Sequence, residues 1–73
     1  MKIEKTVKAE KIREWSGDEL KAKEREFSDQ LFRLRFRLAS GQTDALPNLR
    51  VVRKNLARVK TILRERERRA ASE

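Results

Sequence analysis

The most constraining feature of this sequence is how little interrupts it. Two long stretches of good helix formers are separated by one cluster of breakers, Ser40-Gly41-Gln42-Thr43-Asp44 with Pro47 just beyond, which marks a single turn between two helices. In the first stretch Leu20, Phe27, Leu31, Leu34 and Leu38 recur at steps of seven, four, three and four, so they line one stripe of an α-helix. In the second, Leu49, Val52, Leu56, Val59 and Leu63 alternate steps of three and four, the seam pattern of a coiled-coil hairpin. Two stripes of similar length joined by a short loop predict an all-α fold: an antiparallel hairpin of two long helices.

The helix ends are also written in the chain. Ser16-Gly17-Asp18-Glu19 is a capping box, with Ser16 at the N-cap, Glu19 at N3, and Trp15 and Leu20 placed to form a hydrophobic staple. Asp18 and Glu19 complement the positive end of the helix dipole, and Gly41 is expected as the C′ residue that ends the helix. The second helix should start near Leu46–Asn48, where Pro47 is tolerated in a first turn and Asn48 competes as N-cap. Before Ser16, the segment Val7–Glu14 predicts a short N-terminal helix that brings Ile12 and Trp15 against one end of the hairpin. Residues 1–73 are expected to form one domain, with residues 1–6 and 68–73 fraying.

A chain of this length has a thin core, and with 37% apolar against 44% charged residues it folds only if the apolar side chains share one face of each element. It has no cysteine and no histidine, so disulfides, thiolate metal sites and the commonest general base are absent. No cofactor or metal is expected. Paired carboxylates such as Glu24 with Glu26, or Asp18 with Glu19, have no pocket around them, and an enzyme reading lacks a nucleophile–base pair. No apolar run approaches the ~20 residues of a membrane span, and charged residues follow the N-terminus where a signal peptide would be hydrophobic. A cytoplasmic protein is expected.

The net charge of +8 is not spread evenly. Residues 1–29 hold eight acids and eight bases, and residues 65–73 hold three of each, whereas residues 30–64 hold nine Lys/Arg against Asp44 alone. A one-sign stretch repels itself and implies a polyanionic partner. Seven of the nine are arginines, whose planar fork matches phosphate and stacks on bases, which favours nucleic acid over an anionic membrane. At roughly 100° per residue, Arg53, Lys60 and Arg64 fall on one flank of the second helix, Arg50 and Lys54 lie farther round, and Arg58 is nearly opposite the apolar stripe. The first long helix interleaves signs from Glu19 to Glu26 and then turns purely basic at Arg33, Arg35 and Arg37. Gln42, Thr43 and Thr61 are able to hydrogen-bond RNA or simply to serve the loop and helix surface. Phe32 and Phe36, four residues apart and off the leucine stripe, either pack beneath the N-terminal helix or form an exposed patch for a neighbour.

The segments Leu31-Phe32-Arg33-Leu34-Arg35-Phe36 with Ala39-Ser40-Gly41-Gln42, and Val52-Arg53-Lys54-Asn55-Leu56-Ala57-Arg58-Val59-Lys60-Thr61, resemble the L-twenty-nine family of bacterial large-subunit ribosomal proteins. Ile12-Arg13-Glu14-Trp15-Ser16 and Asp18-Glu19-Leu20 are similar to that family's short first helix and cap. The likeness spans about residues 9–67. It departs in Arg33 and Arg37, where polar uncharged residues are usual, and in an N-terminal extension. The resemblance implies a protein of the cytoplasmic ribosome that binds large-subunit ribosomal RNA near the polypeptide exit site, beside a neighbouring ribosomal protein and within reach of nascent-chain factors. It also implies that Arg35, Gln42, Arg53, Arg58, Lys60 and Thr61 face RNA, with Gly41 defining the loop. Arg33, Arg37, Arg50, Lys54 and Arg64 join them on electrostatic grounds.

Two other classes compete. A coiled-coil interaction module would place both stripes in an oligomer and present the basic face to an acidic protein; the hairpin reading expects a monomer when free. A basic amphipathic membrane binder would leave apolar residues for lipid, whereas here two stripes can satisfy each other, so no membrane partner is expected.

Overall fold

The computed structural model describes residues 6–72. Helix α1 spans Ala9–Arg13, helix α2 Gly17–Ala39 and helix α3 Leu46–Ser72, with one turn of 3₁₀ helix at Thr43–Ala45. The described residues contain no strand. Helices α2 and α3, of 23 and 27 residues, fold back on each other along a rod of 49 × 19 × 15 Å. The all-α hairpin with a short first helix is the observed architecture.

Each boundary has a local cause. The Ser16 hydroxyl accepts from the Glu19 amide at 3.2 Å, which satisfies one of the donors that an α-helix leaves orphaned at its start. At the other end of α2 the Gly41 amide bonds the Leu38 carbonyl and the Gln42 amide the Arg37 carbonyl, both at 3.0 Å. Those two bonds form a Schellman motif. It needs a left-handed residue at C′, and Gly41 has φ +92° with open space where a Cβ would stand, so the demand for glycine is conformational, not steric. Helix α3 starts at Leu46, and Pro47 sits in its first turn, where a missing N–H leaves no carbonyl unserved. Asn48 is therefore inside the helix and does not cap it.

The core unites Leu20, Phe27 and Leu34 of α2 with Leu49, Val52, Leu56, Val59 and Ile62 of α3, closed by Ala45 at the loop and Ile12 from α1. Leu31 and Leu63 are only partly buried at its edge. The difference from a simple two-stripe seam lies in Asn55 and Ile62, both buried. They occupy the side of α3 on which the N-terminal segment packs, so the covered face is wider than a two-helix hairpin requires and is shifted toward that segment.

Helix α3 holds the N-terminal segment by its polar groups. The Val7 N–H donates to Asn55 Oδ1 at 2.9 Å, and the Arg58 guanidinium donates to the Val7 carbonyl. Farther along, Arg66 Nη2 donates to the carbonyls of Arg13 at 3.0 Å and Trp15 at 2.7 Å. Arg13 and Trp15 bracket the C-terminal end of the five-residue α1, whose last carbonyls have no partner within the helix. Lys23 of α2 completes the seating, its ammonium 5.7 Å from the Trp15 ring centroid. Of the residues expected to fray, 1–5 and 73 lie outside the described residues, and at the C-terminus α3 is continuous to Ser72.

Two measurements test this account. Leu56→Ala should lower stability by about 2–5 kcal/mol, the usual cost of deleting a buried leucine side chain, read as a loss of urea midpoint by circular dichroism at 222 nm. Asn55→Ala should act mainly on the segment it holds: amide exchange of Val7 and of α1 should accelerate while the centres of α2 and α3 stay protected. Uniform acceleration along all three helices would mean that Asn55 supports the hairpin as a whole and not the strap.

Candidate nucleic-acid interface

Because α3 is one unbroken helix, its phase follows from its buried residues. Arg53 and Lys60 each directly follow a buried residue, Val52 and Val59, which sets them about 100° round from the core on one side, with Arg50 farther round toward the outer pole. Arg58 directly precedes Val59 and so lies about 100° round on the other, where it meets Val7. Arg64 shares the side of Lys60, being four residues on, and Lys54 lies near the outer pole. All of Arg50, Arg53, Lys54, Lys60, Thr61 and Arg64 are exposed. They form one cationic face with no acid from Arg50 to Arg64.

The face has relief. Arg50, Arg53 and Lys54 stand around Ala57 to form a shallow open groove, whose floor is made of side-chain methylenes and one small residue. Arginine and lysine stems cover apolar surface in this way while their heads stay in water. On the other side of Ala57 a second hollow, between α1 and α3, is lined by Arg13, Arg58, Thr61 and Glu65 among others. Thr61 lies between the two regions with its hydroxyl donating to the Ala57 carbonyl at 2.8 Å, so it faces outward chiefly as an acceptor.

In α2, Arg33 and Arg35 flank the buried Leu34 and therefore sit about 100° to either side of it. Arg37, three residues beyond Leu34, shares the side of Arg33. In an antiparallel pair the residues that follow buried positions on both helices fall on one broad side of the hairpin. Arg35 thus joins Arg53, Lys60 and Arg64 on the side away from the N-terminal segment, while Arg33 and Arg37 share the side of Arg58. Gln42 is exposed at the hairpin tip. Among the described residues no ion pair engages any of the nine cations from Arg33 to Arg64.

The sequence-predicted residues therefore divide in two. One set, led by the α3 face with Arg35, is continuous and open; the other, Arg33, Arg37 and Arg58, lies round the back, with Arg58 half-buried and bonded to backbone. Phe32 and Phe36 are not beneath α1: they are 72% and 68% exposed on the outer side of α2. Two residues that shape the surface escaped the sequence reading, Asn55 and Arg66. An asparagine at a core phase, three residues after Val52 and four before Val59, was the available signal for the first; nothing distinguishes Arg66 among the alternating charges of Arg64–Arg69. Among the described residues no helix is long and apolar enough to cross a membrane.

Comparison with known proteins adds an independent line. The family model described as Ribosomal L29 protein matches residues 10–66. The large ribosomal subunit protein uL29 of Caldanaerobacter subterraneus subsp. tengcongensis is 56% identical over 61 residues, covering 84% of this chain and 92% of the relative. The protein of the same name from Natranaerobius thermophilus is 54% identical, covering 84% and 94%, and that of Solibacter usitatus 48% identical, covering 84% and 91%. No solved structure matches. A match across most of the chain, at this identity and with relatives of nearly its own length, leaves one assignment: the chain belongs to the ribosomal L29 protein family, and its work is structural, not catalytic.

Proposed function

We propose that this protein is a constituent of the large subunit of the cytoplasmic ribosome that binds ribosomal RNA through the exposed face of α3, with Arg35 at its margin. The observation that carries the reading is the acid-free run of exposed cations Arg50, Arg53, Lys54, Lys60 and Arg64 on the solvent side of one continuous helix. Their spacing along the rod suits successive phosphates of a folded RNA, with Thr61 and Gln42 as polar contacts and Gly41 shaping the tip. Among the described residues no element carries a groove-inserted, base-reading motif, so backbone contacts and RNA shape carry most of the recognition. Arg33 and Arg37 are second-side contacts, placed for RNA that reaches round the loop end, and Arg58, bonded to the Val7 carbonyl, lies farther along that same side. The resemblance supports an address near the polypeptide exit site, with a neighbouring ribosomal protein and nascent-chain factors as partners.

The coiled-coil module is less well supported. Both stripes that an oligomer seam would need are buried against each other within one chain, and the free protein is proposed to be a monomer.

Two outcomes are expected. If about five phosphates are neutralised, log affinity for large-subunit ribosomal RNA should fall against log salt with a slope of about −3.5 to −4.5; a flat dependence would remove the electrostatic interface. The pair Arg53→Glu with Lys60→Glu should weaken binding at least ~10-fold and reduce that slope, with unchanged helicity by circular dichroism. Helix loss in step with affinity loss would show that the two residues hold the fold instead.

A further inference from the structure

Phe32 and Phe36 are large apolar side chains left in water, 72% and 68% exposed, whereas the other large apolar side chains among the described residues are buried or partly so. They stand four residues apart on a continuous helix, so their rings are neighbours on one line of its surface. Arg35, three residues after Phe32, borders the pair on one side, and Arg33, three before Phe36, borders it on the other. Arg37 follows, and no acid occurs from Gln30 to Thr43. Asp29, one turn before Phe32, is the acid nearest in sequence. None of the three arginines has an ion-pair partner among the described residues.

We propose that Phe32 and Phe36, bracketed by Arg33 and Arg35, form an aromatic contact for unpaired RNA bases on the side of the hairpin away from α3. The inference rests on the RNA reading above and adds to it a second surface of different chemistry. Rings between guanidinium groups suit a nucleotide in both its parts: a base face stacks on phenylalanine while its phosphate meets an arginine fork. Paired bases hide their faces within the stem, so the ligand is a bulged or looped-out nucleotide. A protein partner would have to present an apolar socket rimmed by carboxylates to satisfy the same arginines. Two RNA-facing surfaces on opposite sides of one rod would let the hairpin wedge between separate RNA segments.

The test uses the full-length protein, naked large-subunit ribosomal RNA, and the pair Phe32→Ala with Phe36→Ala. Because both rings are exposed, the variant should keep its helicity and thermal midpoint. It should bind roughly 10-fold or more weakly, the effect of losing stacking on one or two bases, with an unchanged salt slope. In base-specific chemical footprinting a small set of unpaired nucleotides should lose protection while backbone protections from α3 persist. Identical footprints and affinities for the two proteins would overturn the proposal, and loss of a protein neighbour from subunits carrying the variant would then assign the rings to a protein contact. The α3 reading stands or falls separately, on the salt slope and the Arg53 and Lys60 pair.

Discussion

The mutual burial of two apolar stripes is the interaction on which everything else here depends. A helix of 23 or 27 residues with interspersed charge is marginal in water on its own, because helices in proteins draw most of their stability from packing an amphipathic face. Once Leu34 and Phe27 meet Val52, Leu56 and Val59, the rotational phase of both helices is set. Every exterior side chain then has an address. The cations of α3 form a face because their positions are fixed relative to buried valines and leucines, and the phenylalanines of α2 are exposed for the same reason.

Asn55 gives that packing a direction. A two-stripe hairpin has two equivalent broad sides, and nothing in a leucine seam distinguishes them. A buried amide aimed at one side does, since its oxygen needs a donor, and the Val7 N–H supplies it. Arg58 and Arg66 reinforce the choice from the same helix, by bonding backbone carbonyls of the segment they hold. One side of the rod is thereby covered and the other left open, and the α3 cations not used in the strap lie toward the open side.

Much of this was legible in the chain. The turn at Ser40–Pro47, the Ser16 cap and the role of Gly41 follow from rules that operate within five or six residues; at the cap the Ser16 hydroxyl accepts from the Glu19 amide, and at Gly41 the Schellman bonds close the helix. The stripe of α3 was legible as far as Val59. Beyond that the buried residue is Ile62, with Leu63 at the edge, because the width of the buried face is set by a segment some fifty residues away in sequence. The same long-range contact moves Arg58 from an apparent solvent pole to a seam. Periodicity measures one helix against an average partner; it carries no information about a third element that settles on one flank. For Phe32 and Phe36 the sequence offered two placements, and only the position of α1, packed on α3 and short of the loop, decides for exposure.

The distribution of charge gains a physical sense from this geometry. At the end of the rod away from the loop, where α1, the start of α2 and the end of α3 meet, signs alternate: Lys23 pairs with Glu26 at 3.3 Å, and acids equal bases over residues 65–73. There the charge is balanced among neighbours and needs no external partner. From the middle of α2 round the loop and along α3 to Arg64, nine cations share the surface with Asp44 alone, and the hairpin core holds them close together against their mutual repulsion. That repulsion weakens the free fold and is relieved when a polyanion occupies the face. A ligand that binds the folded form and not the unfolded chain adds its binding free energy to stability. Under the proposed RNA reading, the concentration of charge that makes the isolated hairpin less stable is also what would couple its folding to the bound polyanion: the neutral end supplies a core able to form, and occupation of the cationic stretch would favour the folded state.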